Sequence, residues 1–239
     1  MENLKQIQGT FKKDANRVEL INHHVLKFLK DEELNHEQIA KLLSQWYFPL
    51  ANFPFFLASC ISHIKITEIQ TFLSDILHEE LGCGNPAQSH LALYESTMND
   101  AGFVSSEFMN TKAYTATIAL VEGYKYAAKD QNRAIGFVYA TEVADLAMVS
   151  AIGYSVAKFS GKTLKELPWA DIHIKQEPNH VNNVNNSIDM PLGEAEVAEI
   201  LRSAQLCWKL WVGFFEEIGL RINAPFPAKF SETEFAETN

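Results

Sequence analysis

The sequence predicts a single domain built only from α-helices. Apolar residues recur at intervals of three and four almost throughout the chain, which is the spacing of one helix face. No segment alternates apolar and polar residues in the manner of a strand. No internal repeat and no long linker divides the chain. We therefore expect one all-α bundle of seven or eight helices.

The composition is that of an ordinary globular protein. Of the 239 residues, 47% are hydrophobic and 21% are charged, which excludes a disordered or collagen-like chain. The net charge is −10 and no basic run is present, so binding to nucleic acid or to a membrane surface is not expected. Three widely spaced cysteines and an N-terminal region without an apolar signal segment predict a reduced, cytoplasmic protein.

The first helices follow a short N-terminal extension, residues 1–15. Residues 16–30 carry a wide apolar face and predict one helix. Asn35, with a glutamine three residues later, predicts the capped start of the next helix. Pro49 and Pro54 lie inside that helix and predict a kink.

The remaining helices are bounded by glycines and prolines. A third helix ends at Glu80, before the turn LGCGNP, and Pro86 opens a fourth. Four more predicted helices follow, at about 111–129, 132–159, 164–182 and 193–219. The helical domain spans residues 16–224, and residues 225–239 form a short C-terminal tail.

The most apolar stretch, residues 134–157, contains two acidic residues that packing does not explain. It is long enough to cross a bilayer, but Glu142 and Asp145 lie near its middle, which favours a buried helix of a soluble protein. A buried carboxylate costs several kcal/mol unless it is paired or binds a metal. Pairing of Glu142 with a tyrosine, histidine or arginine would also explain it.

Two further groups of polar residues are unusual. His173, Glu177 and His180 would share one narrow stripe of a helix that is rich in asparagine and poor in apolar residues. An exposed polar helix with two incidental histidines explains this pattern equally well. Glu80 and His90 flank the glycine-rich turn, which can bring both into the interior. Alternatively, Glu80 is solvated and His90 is an ordinary core residue.

Together these segments supply carboxylates and imidazoles from four helices, a donor set that suits two iron or manganese ions inside a bundle. The six candidate ligands are Glu80, His90, Glu142, His173, Glu177 and His180. The ferritin-like pattern requires two Glu-x-x-His motifs on separate helices. Only Glu177-x-x-His180 matches well, because the other occurrence begins at Glu33 in a loop and helix start.

The string Glu80-Leu-Gly-Cys-Gly-Asn-Pro-Ala-Gln-Ser-His90, followed by Glu142 and the His173-x-x-x-Glu177-x-x-His180 motif, resembles the haem-oxygenase-like di-iron oxidases. These are relatives of the chlamydial death-domain-associating protein, within the wider fold group of TenA thiaminases and the pyrroloquinoline-quinone-forming oxidase. The resemblance covers residues 15–220. It implies a haem-free bundle in which the six candidate ligands hold two irons that activate O₂ as a co-substrate. Pro178, between the last two ligands, departs from what a helix favours.

The resemblance leaves the reaction open. The substrate would be a small amino acid, amine or fatty acid, or a side chain of the protein itself consumed in p-aminobenzoate formation. We expect Tyr47, Tyr139 and Asp145 to line the pocket, although the tyrosines would serve equally well in core packing. By analogy alone, we expect a homodimer.

Two alternatives have a different chemistry. The first is a metal-free enzyme of the same fold, either thiaminase-like with a cysteine nucleophile or quinone-cofactor-synthase-like. Cys83 lies in the turn, whereas Cys60 and Cys207 fall on apolar helix faces where inert thiols are expected. The second is a non-catalytic protein-interaction module.

Overall fold

The computed structural model describes residues 2–187 and 192–225, without the side chains of residues 2–7, 177–178 and 186–187. Within these ranges all regular structure is helical, which confirms the all-α prediction. Two short 3₁₀ turns, at Pro86–Gln88 and Leu164–Glu166, accompany eleven α-helices. The helices are α1 (Glu2–Lys13), α2 (Ala15–Ile21), α3 (His24–Asp31), α4 (His36–His63), α5 (Thr67–Glu80), α6 (His90–Asp100), α7 (Ser105–Phe108), α8 (Thr115–Ala127), α9 (Gln131–Ser160), α10 (Pro168–Ser187) and α11 (Glu194–Arg221).

The helix count exceeds the expected seven or eight because short helices occupy the N-terminal region. The predicted helix at residues 16–30 is in fact two helices, α2 and α3. His23 separates them by capping α3, since its Nδ1 accepts a hydrogen bond from the Val25 N–H at 3.3 Å. Helix α1 lies in the segment expected to be an extension, and α7 adds a single turn. The predicted tail falls outside the described residues from position 226 onward.

Helix α4 begins with the predicted capping box and continues through both prolines. The Asn35 Oδ1 accepts from the Gln38 N–H at 3.0 Å, and the Gln38 Oε1 accepts from the Asn35 N–H at 3.0 Å. The helix then runs without a break past Pro49 and Pro54. It therefore forms one long wall of the bundle, with Trp46 and Phe53 buried on its inner face.

Helix α9 lies at the centre of the bundle, against α11, α10 and α3. It approaches α11 closely at Gly136, where an added Cβ would lie 2.4 Å from the carbonyl oxygen of Ile200. The Trp208 Nε1–H also donates to the carbonyl of Ala140 at 3.0 Å. This packing fixes the part of α9 that carries Glu142. Within the described part of the chain, α9 is long and apolar enough to cross a membrane, yet 72% of its apolar window is buried in the bundle.

Candidate metal centre

The turn LGCGNP reverses the chain between α5 and α6. Its residues 82–84 all have positive φ angles, at 85°, 52° and 87°. Glycine is required at Gly82, because an added Cβ would lie 2.3 Å from the carbonyl oxygen of Asn85. The reversal brings Glu80, the last residue of α5, beside His90, the first residue of α6.

Glu80 and His90 form a buried pair. The Glu80 Oε1 lies 3.0 Å from the His90 Nδ1, although this nitrogen lacks the geometry of a hydrogen bond. Burial alone would raise the pKa of Glu80, but the neighbouring histidines, His90 first, hold that pKa below its ordinary value. Burial likewise opposes protonation of His90, but Glu80 outweighs it and raises the pKa of His90. Both pKa shifts therefore favour the charged forms of the pair.

His180, on α10, lies between two carboxylates. Its Nδ1 is 3.0 Å from the Glu142 Oε2, and its Nε2 is 3.1 Å from the Glu79 Oε2. Burial lowers the pKa of His180, but Glu142 and then the other acids overcome this and raise it to about 9. The second oxygen of Glu142, Oε1, is buried and has no hydrogen-bond partner. Glu142 thus carries an unused acceptor in the interior.

His173 lies next to His90, with ring centroids 4.4 Å apart. Its Nδ1 is 2.7 Å from the carbonyl oxygen of Trp169, which can only accept, so Nδ1 carries the proton and Nε2 keeps its lone pair. Burial, reinforced by the charge of His90, lowers the pKa of His173 to about 3. His173 is therefore neutral and suited to bind a cation.

Each of the three histidines has one ring nitrogen held by an acceptor outside the six candidate ligands. These acceptors are the Gln176 Oε1 for His90 at 2.8 Å, the Glu79 Oε2 for His180 at 3.1 Å and the Trp169 carbonyl for His173 at 2.7 Å. Metal-binding histidines usually donate their second N–H to such a group, which fixes the ring and its tautomer. The three histidines therefore have the hydrogen-bonded arrangement that is usual for metal-binding histidines.

The described conformation nevertheless contains pairs of ligands and no closed metal site. Among the described residues, no group of three histidine, cysteine or acidic side chains is placed to hold one ion. The predicted ligand Glu177 lies on α10, but its side chain is outside the described residues. The residues still fit the expected ions. Adjacent ligand atoms bound at about 2.1 Å and at a right angle would be about 3.0 Å apart, which matches both carboxylate–imidazole pairs.

A cavity of about 30 Å³ adjoins these residues. Glu80, Glu142, His173 and Asp145 line one part of it, as the sequence predicts for Asp145. The rest is lined mostly by apolar and aromatic side chains: Trp46, Pro49, Leu50, Phe53, Tyr124, Thr141 and Trp211. Its described lining contains no lysine, arginine or cysteine.

The two tyrosines expected in the pocket lie elsewhere. Tyr139 stacks on Phe11 at a centroid distance of 4.3 Å, because the N-terminal segment covers that face of α9. Tyr47 is half-buried beside Phe48 and is not among the residues that line the cavity. Tyr124, on α8, is the tyrosine at the cavity, and burial raises its pKa well above the ordinary value.

Sequence reasoning missed Glu79, Gln176 and Tyr124. Glu79 directly precedes the predicted ligand Glu80, and the sequence pattern assigns it no role of its own. Gln176 lies three residues after His173, so its place on the stripe of ligands was a usable signal. Nothing in the sequence separates Tyr124 from a core tyrosine.

A family model described as iron-containing redox enzyme matches residues 40–212. The chain belongs to this family. The matched range includes all six candidate ligands, and the family's description agrees with a centre built from carboxylates and imidazoles. A search of curated protein sequences gives no significant match.

Solved structures confirm the haem-oxygenase-like fold. A CADD-like protein of unknown function from Nostoc punctiforme superposes with a TM-score of 0.77 at 17% identity, over 92% of this chain and 97% of that chain. A domain with a heme oxygenase-like fold from Shewanella denitrificans gives 0.72 at 14%, over 92% and 91%. A TenA homolog from Pseudomonas syringae gives 0.69 at 11%, over 90% and 91%. At these identities the likeness establishes the fold alone.

Proposed function

We propose that this family member is an O₂-dependent, non-haem di-iron oxidase or oxygenase. The irons, or manganese in their place, would be held by Glu80, His90, Glu142, His173, Glu177 and His180. The observation that supports this most directly is the pairing of Glu80 with His90 and of Glu142 with His180, each at 3.0 Å in the interior. Neutral His173 lies beside the first of these pairs.

When bound, the two irons in their ferrous state would supply two of the four electrons that reduce O₂, and the oxidised substrate would supply the other two. The surrounding residues determine how the ligands are presented. The Trp169 carbonyl holds the tautomer of His173, and Gln176 and Glu79 restrain the other two rings. The aromatic wall at Trp46 and Phe53 limits the access of water to the carboxylates.

The cavity favours a small substrate with an apolar part. It adjoins the ligands and is bounded by aromatic and aliphatic side chains on the side away from them. Beside the ligand side chains, the lining also carries the Asp145 carboxylate, the hydroxyls of Thr141 and Tyr124, and the indole N–H groups of Trp46 and Trp211. We assign to Asp145 the role of binding or orienting a polar group of the substrate. A self-consuming reaction of a tyrosine would involve Tyr124 and not Tyr139.

A thiaminase-like reaction has less support. Such an enzyme needs an activated thiolate at the cavity, and no cysteine is among the described lining residues. Burial raises the pKa of Cys60, and it raises that of Cys207 to about 12, so both remain thiols. Cys83 is exposed in the turn. A homodimer acting on a small molecule in the cytoplasm remains part of the proposal.

Anaerobic titration of the metal-free protein with Fe(II), followed by exposure to O₂, tests the proposed function. We expect two irons per chain and oxygen consumption that depends on iron. His173→Ala and Glu142→Ala should each reduce the iron content. His63→Ala removes an exposed histidine at the end of α4 and serves as the matched control. Iron binding that is absent, or unchanged in both ligand variants, would refute the proposal.

A further inference from the structure

A second cavity opens at the surface between α5 and α10. It has a volume of about 300 Å³, and each of its described lining residues carries an oxygen, nitrogen or sulfur donor. Asp75 and His78 line the α5 side. Asn179, Asn182 and Asn183 line the α10 side and share one helix face. The asparagine-rich stretch of α10, which the six candidate metal ligands do not explain, therefore lines this cavity, which we call the polar cleft.

Glu79 joins the polar cleft to the candidate centre. Its side chain lines the cleft and is 22% exposed. Its Oε2 lies 3.1 Å from the Nε2 of His180, which is 1% exposed and contacts Glu142 through Nδ1. A continuous series of donor atoms therefore leads from solvent to the buried carboxylate.

The volumes of the polar cleft and of the inner cavity beside the candidate ligands indicate what this series of donor atoms does to a hydrated metal ion. In the same measure of cavity volume one water needs about 10–15 Å³, so a divalent ion with six waters needs about 60–90 Å³. The cleft, at about 300 Å³, can accept such a hydrated ion, whereas the inner cavity of about 30 Å³ cannot. An ion that moves from the polar cleft to the inner cavity must therefore exchange its water for protein ligands. Glu79 is the carboxylate that lies between the polar cleft and His180.

We propose that the polar cleft is the site at which a hydrated divalent metal ion first binds, and that Glu79 passes the ion to His180 and Glu142. This inference rests on the proposed metal centre. Asp75 and Glu79 attract the cation electrostatically, and the asparagine amides replace water without adding charge. Because no described trio of side chains forms a closed metal site, the first binding step is weak and retains most of the water.

The test measures Co²⁺ uptake by stopped-flow tryptophan fluorescence, since Trp169 lies 5.1 Å from His173 between ring centroids. Asp75→Lys changes the charge of the cleft by two units. At about 10 Å from a divalent ion, such a change slows uptake about tenfold at low salt and about threefold at 0.1 M salt. Asn182→Phe, which narrows the cleft without changing its charge, should also slow uptake. Neither variant should alter the final metal stoichiometry.

Glu68→Lys is the matched control, because it makes the same charge change two turns earlier on α5 and outside the cleft. At 0.1 M salt its uptake rate should equal that of the wild type. Equal rates in Asp75→Lys and Glu68→Lys, with Asn182→Phe also unaffected, would refute the route while leaving the metal centre intact. Absence of bound metal in the wild type would instead overturn the proposed function and the route together.

Discussion

Replacement of Gly136 by alanine should destabilise the bundle at its central helix contact. The new Cβ would lie 2.4 Å from the Ile200 carbonyl oxygen and 2.7 Å from the Ser203 Cβ. Ordinary contacts of this kind are at least 3.4 Å, so α9 and α11 must separate by about 1 Å. A gap of that size forfeits about a quarter to a half of each dispersion contact along the interface.

The expected change follows from two opposing terms. Overpacking costs about 1–3 kcal/mol and sometimes more, whereas alanine in place of glycine favours a helix by about 1 kcal/mol. The overpacking term should dominate, because the closest obstructing atom belongs to the backbone of α11. With the overpacking cost at the upper end of its range, about 3 kcal/mol, we expect a net loss of about 2 kcal/mol. Such a loss lowers Tm by about 4–8 °C in a protein of this size.

Gly213→Ala provides a matched control for thermal and urea denaturation. Gly213 lies within α11, and an added Cβ there meets no atom within 4 Å. The helix-propensity term then acts alone and should raise Tm by about 2–4 °C. If Gly136→Ala is as stable as Gly213→Ala, the close packing of α9 against α11 is wrong.

Three further predictions concern the capping histidine and the centre. Burial, and to a smaller extent the charge of His24, lowers the pKa of His23 to about 4. The free energy of unfolding should therefore fall as the pH drops from about 6.5 towards 4, by up to about 1.4 kcal/mol per pH unit. His23→Asn keeps a cap without titrating, and urea titrations should show this pH-dependent component lost. Glu79→Ala should weaken Co²⁺ binding about 10- to 100-fold in chelator competition. Glu79→Gln, whose amide oxygen still accepts from His180, should retain most of the affinity. Anaerobic Fe(II) at a hundredfold excess over Kd should add about 2.7 kcal/mol per site to the free energy of unfolding, and an unchanged Tm would contradict this.

Much of the fold is readable from the sequence because the signals are local. The capping pair at Asn35, the glycine-rich turn and the apolar period of α9 each act within a few residues. The division of residues 16–30 into two helices is not readable in this way, because the break at His23 depends on a side-chain cap in a continuous apolar pattern. A histidine at that position carries no strong capping signal.

The residues of the candidate centre can be predicted from the sequence where their side chains are costly to bury. They are harder to predict where tertiary packing determines which side chains lie near the centre. Glu142, Glu80 and His90 stand out because their burial needs a partner. The position of Tyr139 depended on Phe11, a residue of the segment set aside as an extension. The role of Glu79 depended on the angle between α5 and α10, which no local pattern encodes.

The central helix has a consequence for biosynthesis. Before the bundle closes, residues 131–160 present a segment long and apolar enough for the machinery that inserts helices into membranes. An aspartate at the centre of such a segment opposes insertion by about 2.5–3.5 kcal/mol, and a glutamate acts in the same direction. The charges of Glu142 and Asp145 therefore oppose insertion of this segment into a membrane, independently of any metal that they bind or face. A substitution that makes both positions apolar would remove this opposition and a candidate metal ligand together.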